Sequence, residues 1–289
     1  MKIAFAGFGE VNTPIDIIIN KCKAASESLK SDGVEVIAHY PIRDDYEEKD
    51  VNAAIDFFKD KEFDALVLCI AGWIPTHAVI KVAEQYRNVL MVLWGLCGWI
   101  ENDGRLVTTA DQAGTSALRK TMKDLGYTFK YVYDIIGKPS RTDAVLTYCK
   151  AAAAFKELRS AKIGQMGFRD MHLYGTLFDG CSLKKTVGTE IECFEMLEVV
   201  QRAEKVTDAA IDEVINTTVK KWNFLKEADM SVVRRGVSYY LALKDIIDER
   251  KYKAISLKDV DGMKKLLGFP PAMIFMLLAE RGHSHDSRK

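Results

Sequence analysis

The 289-residue chain is 48% apolar and 28% charged, with 41 basic against 41 acidic side chains and a net charge of zero. That apolar share supports an ordinary packed core and, at this length, two α/β domains; the neutral balance gives no electrostatic case for nucleic acid or an anionic membrane as partner. No stretch approaches the roughly 20 apolar residues of a membrane span, and the opening MKIAFAGFGEVNTP has neither the length nor the cleavage pattern of a signal peptide.

The first 150 residues alternate strand and helix. KIAFAGFG (residues 2–9) reads as a short strand ending in glycines, and PIDIIINKCKAASESLKSDG as a helix stopped at Gly33. VEVIAHYP is a second strand. Residues 50–61 give an amphipathic helix with Ala53, Ala54, Phe57 and Phe58 on one side. ALVLCIAG (65–72) and VLMVLWG (89–95) are unbroken apolar runs, the mark of strands buried on both faces. THAVIKVAEQYRN crosses over between them. A loop and helix, TTADQAGTSALRKTMKDLG, precede a last strand, YTFKYVYD.

The pattern restarts at about residue 151 with the helix AAAAFKELRSA and the strand KIGQMGFR (162–169). MHLYGTLFDGCSLKKTVG and the strand-like TEIECF continue a second unit. Residues 194–252 are mostly helical, including GVSYYLALKDIIDERKY with an apolar repeat at Val237, Tyr240, Leu241 and Leu243, and Lys244 beside it. AISLKD returns to strand, and an apolar helix, PPAMIFMLLA, ends near residue 279 before the tail RGHSHDSRK. The expected fold is α/β: two successive doubly wound, Rossmann- or flavodoxin-like parallel-sheet domains, the second helix-rich. The expected boundaries are 1–150 and 151–280, with a polar tail at 281–289. A fully apolar helix needs cover and none follows it, so the reading expects the front of a longer polypeptide.

Six cysteines (Cys22, Cys69, Cys97, Cys149, Cys181, Cys193) show no CxxC or metal spacing, which suggests reduced thiols and a cytoplasmic protein. GFGEVN opens like a dinucleotide fingerprint at Gly7 and Gly9, but no third glycine follows and Glu10 would meet the pyrophosphate. Loops at the carboxyl ends of parallel strands are where doubly wound sheets bind ligands. Four have unusual compositions: GFGEVN, AGWIPTH (71–77), WGLCGWIEN (94–102) and MGFRDMHLYG (166–175). Tryptophan faces such as Trp73, Trp94 and Trp99 suit the C–H faces of sugars, while Glu, Asn and Arg bind hydroxyls. Loop tryptophans also cap sheets or fill interfaces, and both readings stay open. His77 and His172 read as hydrogen-bonded structural residues, and His283 and His285 take no role. Glu190 and Glu192 alternate on a strand and share a face, read as facing solvent or a domain interface in preference to a metal.

The stretches AGWIPTHAVIKVAEQYRNVLMVLWGLCGW, TTADQAGTSALRKTMKDLGYTFKYVYD, KIGQMGFRDMHLYGTLFDG and AISLKDVDGMKKLLGFPPAMIFMLLAE resemble the N-terminal part of the L-fucose isomerase/L-arabinose isomerase superfamily, over about residues 2–280. The resemblance implies two N-terminal α/β domains followed by a catalytic domain that this chain lacks. It implies isomerase activity in carbohydrate metabolism, an intramolecular oxidoreduction that interconverts aldoses and ketoses. In the full-length family enzyme a divalent metal, usually manganese, holds neighbouring sugar oxygens and carboxylates move a proton through an enediol. The family's first metal-binding acid lies just beyond the apolar helix, where this chain reads RGHSHDSRK; Glu280 and Asp286 do not replace it. No catalytic residue, metal ligand or cofactor is therefore carried over, and the chain alone is expected to be inactive. The resemblance also implies a homo-oligomer in which the first domain of one subunit closes its neighbour's sugar pocket. The matching positions are Glu10, Asn12, Trp73 and Gln112, with Met166 and Arg169 in the domain-two loop facing the same pocket. The rival reading is a non-catalytic carbohydrate-binding or regulatory protein whose two α/β domains close on a sugar.

Overall fold

The computed structural model describes residues 1–286, with side chains through residue 280. Two compact units form, Met1–Lys156 and the residues from Glu157 onward. The first unit runs β1 (Lys2–Phe8), α1 (Ile15–Ser28), β2 (Glu35–Ile42), α2 (Lys49–Phe58), β3 (Ala65–Ile70), α3 (Thr76–Ala83), β4 (Met91–Gly95), β5 (Trp99–Ile100), β6 (Leu106–Val107), α4 (Asp111–Asp124), β7 (Phe129–Tyr133) and α5 (Thr142–Ser160). Helix α5 carries the chain past the division between the units.

Five strands make one parallel sheet in the order β2-β1-β3-β4-β7. This is the flavodoxin-like doubly wound order, whose topological switch point lies between β1 and β3. Every residue of β3 and β4 is buried, as their unbroken apolar runs require when helices cover both faces. One face packs α2, α3 and α4 through Val51, Ala54, Phe58, Val79, Leu118 and Met122. The other packs α1 and α5 through Ile18, Cys22, Val145, Cys149 and Ala152. Ala53 falls on the exposed side of α2 and Val51 takes the inward position, because the helical period puts residues 51, 54 and 58 on one stripe.

The second unit runs β8 (Lys162–Met166), α6 (Gly180–Thr186), β9 (Glu190–Phe194), α7 (Met196–Ala203), α8 (Asp208–Thr217), α9 (Met230–Arg250), β10 (Ala254–Leu257), α10 (Lys265–Leu267) and α11 (Ala272–Asp286). Its sheet has three parallel strands in the order β10-β8-β9. Helix α9 is the centre of the unit, burying Val233, Val237, Tyr240, Leu243 and Ile246, whereas Lys244 lies outside the stripe, 3.4 Å from Asp248.

Two sequence expectations change here. Helical backbone continues through Asp286, beyond the end expected near residue 279. The apolar helix also has cover: Ile274 and Leu277 are buried in the core around α9, leaving Phe275 and Met276 exposed. Gly236 makes the approach possible, since a Cβ there would lie 2.7 Å from Met273 Sδ and from Phe269 Cζ. The side chains of His283, His285 and Asp286 lie outside the described residues. Among those described, no single helix is long and apolar enough to cross a membrane.

Candidate functional site at the carboxyl edge of the first sheet

Strands β1 and β3 end side by side, Phe8 opposite Ile70, and then diverge. Their loops are tied by main-chain bonds. The Glu10 N–H donates to the Trp73 carbonyl at 2.7 Å, and the Trp73 N–H donates to the Thr109 carbonyl at 2.6 Å. Three loops, after β1, after β3 and before α4, thus meet at the switch point. Gly9 allows it: a Cβ would sit 2.7 Å from Ile18 on α1. Glu10 is half-buried, Asn12 exposed, and the Trp73 side chain 37% exposed on a fully buried strand stem. Glu10 and Trp73 are therefore brought together by their main chains, with Asn12 two residues further along the first loop.

Beneath the rim lies a polar network that the sequence did not disclose. The Lys21 ammonium, from α1, donates to the Asp111 carboxylate and, at 3.0 Å, to Thr109 Oγ1. Thr109 Oγ1 donates in turn to the Ala71 carbonyl at 2.7 Å. Asp111 opens α4 with no exposed surface, and the Lys21 side chain is 13% exposed. Burial pushes the Asp111 carboxyl above the usual range even with the Lys21 ammonium against it. The carboxylate also sits at a helix start, where the backbone dipole favours negative charge. The Trp99 ring lies 5.9 Å from the ammonium. Nearby, the half-buried Cys97 thiol is pushed up by burial, with Asp134 and Asp111 adding to it.

Gln112 is spent on the backbone. Its Nε2 reaches the carbonyls of Leu96 at 2.8 Å, Asp134 at 3.0 Å and Gly95 at 3.4 Å, stitching the ends of β4 and β7 to α4. Trp94 is enclosed in the core, its indole N–H donating to Asp134 at 3.1 Å, so it caps the sheet. His77 is exposed near the start of α3.

In the second unit Met166 ends β8 with its side chain fully buried in the core around α9, because the strand's two-residue period turns positions 164 and 166 inward. It presents no surface to a ligand within this unit. Arg169 lies over the Tyr174 ring at 4.5 Å and donates to the His172 carbonyl, while its Nε is buried with no partner among the described residues. The loop holding it is clamped reciprocally: Asp170 accepts from Val260 N–H (3.0 Å) and Asp261 N–H (2.7 Å), and Asp261 accepts from Met171 N–H (2.6 Å).

Glu190 and Glu192 are engaged by cations. Lys184 lies 3.0 Å from Glu190, and Lys162 and Arg250 lie 3.7 and 3.3 Å from Glu192. Among the described residues no group of three or more His, Cys, Asp or Glu side chains is placed to hold a metal ion. The donor set a divalent metal needs is thus not assembled by these residues, and no chemical step is routed through one. All six cysteines are free.

Fold and loop junction define an α/β protein in which three loops meet at a sheet switch point. Comparison with known proteins narrows the class. Residues 176–282 match the profile of the L-arabinose isomerase central domain. The chain is also 22% identical over 151 residues to the L-arabinose isomerase of Clavibacter sepedonicus, a match covering 50% of this chain and 30% of that protein. Both support the arabinose isomerase family of sugar isomerases, and the chain spans about a third of the length of the relative it matches.

Proposed function

We propose that this chain is the α/β portion of an aldose–ketose isomerase of the L-arabinose type, within the wider fucose/arabinose group, and that its part in the reaction is to frame the sugar. In this reading Glu10, Asn12 and Trp73 form a polar and aromatic rim that closes over the sugar pocket of a neighbouring copy in a cytoplasmic homo-oligomer. The observation that supports it most is the three-loop junction at the β1/β3 switch point, where Glu10, Trp73 and Thr109 are locked by main-chain bonds. An exposed aromatic residue and a half-buried acidic residue on loops joined through their main chains suit a ligand with C–H faces and hydroxyls. Arg169 is proposed as a sugar contact of the second unit. The carboxylates and divalent ion of the proton transfer are assigned to none of the described residues.

The test is isothermal titration of the purified chain with L-arabinose and L-ribulose, alongside a ketose-formation assay with manganese. Sugar binding that is lost in Trp73→Ala and Glu10→Gln, without turnover, is the expected result. Turnover abolished by EDTA would overturn the assignment of chemistry, and unchanged affinity in both variants would overturn the rim.

A further inference from the structure

The far edge of the first sheet carries a second binding surface, on β7. A groove of about 640 Å³ runs beside this edge strand. Its backbone is half unused. The Met91 N–H donates to the Thr128 carbonyl at 3.2 Å, and the Asp134 N–H to the Gly95 carbonyl at 2.9 Å. Along a parallel strand the N–H and C=O of a residue face the same neighbour and alternate from residue to residue. Thr128, Lys130, Val132 and Asp134 therefore face β4, and the main-chain groups of Phe129, Tyr131 and Tyr133 face outward.

The side chains around that open ladder are aromatic and cationic. Tyr131 and Tyr133 lie 5.4 Å apart, and Arg119 of α4 sits over Tyr131 at 5.3 Å. Arg119 and Lys123 border the groove on the α4 side. Lys130 shares the face of Val132, which packs toward α1 and α5. The lining holds no carboxylate. Asp124, the acid nearest on α4, is taken by Lys120. A second copy laid edge to edge would bring two sets of the same cations together, which is how exposed edges ordinarily avoid self-pairing. An acidic strand meets no such repulsion.

We propose that the β7 edge docks an extended acidic segment of a partner protein. The segment adds as a sixth strand, hydrogen-bonds to the main chain of Phe129, Tyr131 and Tyr133, and sets the carboxylates of one face against Arg119 and Lys123 on the α4 side. Main-chain pairing supplies the affinity and the cations select the sign of charge.

The experiment uses short fluorescein-labelled peptides alternating Val with Glu, and the same peptides with Lys for Glu, titrated against the full chain by anisotropy. Hydrogen exchange is followed in parallel. The acidic peptide is expected to bind, more weakly as salt rises, and to protect the amides of Phe129, Tyr131 and Tyr133. Arg119→Glu with Lys123→Glu, both on exposed positions, should weaken it by roughly tenfold or more. Tyr131→Pro, tolerated at an edge, should block it by removing an outward N–H. Equal binding of the basic peptide, indifference to the charge reversal, or protection elsewhere would each overturn the proposal. So would a concentration-dependent dimer through this edge, or binding of a single-stranded oligonucleotide while the acidic peptide stays inert.

Discussion

Replacing Lys21 by Met should be among the most damaging single changes in the first unit, although it preserves the length and the apolar stem of the side chain. The reason is what it leaves behind. Asp111 has no exposed surface, and its charged neighbour is Lys21. Its remaining donors are backbone N–H groups, that of Gln112 at 3.1 Å and its own. Breaking a buried pair by removing one partner typically costs about 3–5 kcal/mol, because the other charge stays uncompensated. At about 2–4 °C per kcal/mol for a unit of this size, the melting temperature should fall by about 6–20 °C. Replacing both, Lys21→Met with Asp111→Leu, should recover most of the loss, since apolar substitutes of similar volume are often neutral or better.

The pH dependence follows from the sign of the Asp111 shift. Its folded carboxyl is already held above the unfolded value by burial, and removing the ammonium raises it further. A carboxyl raised in the folded state penalises folding when ionised. The penalty is absent below the unfolded pKa, grows as pH rises between the two values, and is constant above the folded one. The gap between Lys21→Met and the parent should therefore close on acidification. The assay is urea denaturation of both proteins across a pH series. A loss under about 1 kcal/mol at neutral pH, the scale of an exposed pair, or a gap that fails to narrow in acid, would refute the reasoning.

Trp73→Ala should cost far less stability than the about 3–5 kcal/mol of a buried aromatic, because 37% of the residue is exposed; thermal melts check this, and a loss of that size would return Trp73 to a core role. The Asp170–Asp261 clamp should open in acid. Asp261 is held below the usual range first by the Lys265 ammonium, against an opposing effect of burial, with the Met171 N–H also contributing. A depressed carboxylate stabilises above its unfolded pKa and loses that contribution as pH falls through the folded one, so intrinsic-rate-corrected exchange at the Met171 amide should accelerate below about pH 4; unchanged protection there would refute the clamp. Thiol titration at mildly alkaline pH should label Cys181 and Cys193 first and spare Cys22, Cys69 and Cys149. The first two are exposed and the others buried, and burial pushes the Cys149 thiol up to about 12. Early labelling of Cys149 would show that α5 opens readily from the sheet.

The parts of the fold that were legible are those written in local pattern. ALVLCIAG and VLMVLWG read directly as doubly covered strands, and glycines at strand ends marked the carboxyl edge of the sheet. Strand period could also have shown that Met166 points inward, had the alternation from Gly164 been counted. The Lys21–Asp111 pair was illegible because its partners lie 90 residues apart, and a lysine on an amphipathic helix reads as solvated until the loop that receives it is in place. Gln112 enters through the family resemblance alone, and its backbone partners come from the ends of two other strands. The β5–β6 hairpin, two residues on each side, is too short to carry a period. The cover of PPAMIFMLLA depended on a glycine in another helix, a relation between surfaces and not within a segment.

The three carbonyls around Gln112 also carry directional information. Carbonyls only accept, so they fix which end of the amide is nitrogen, and they leave that nitrogen with nothing further to give. Whatever meets Gln112 from the open side finds an acceptor oxygen. Gln112→Glu, which sets a carboxylate against three carbonyls, would undo the stitch that holds the ends of β4 and β7 to α4.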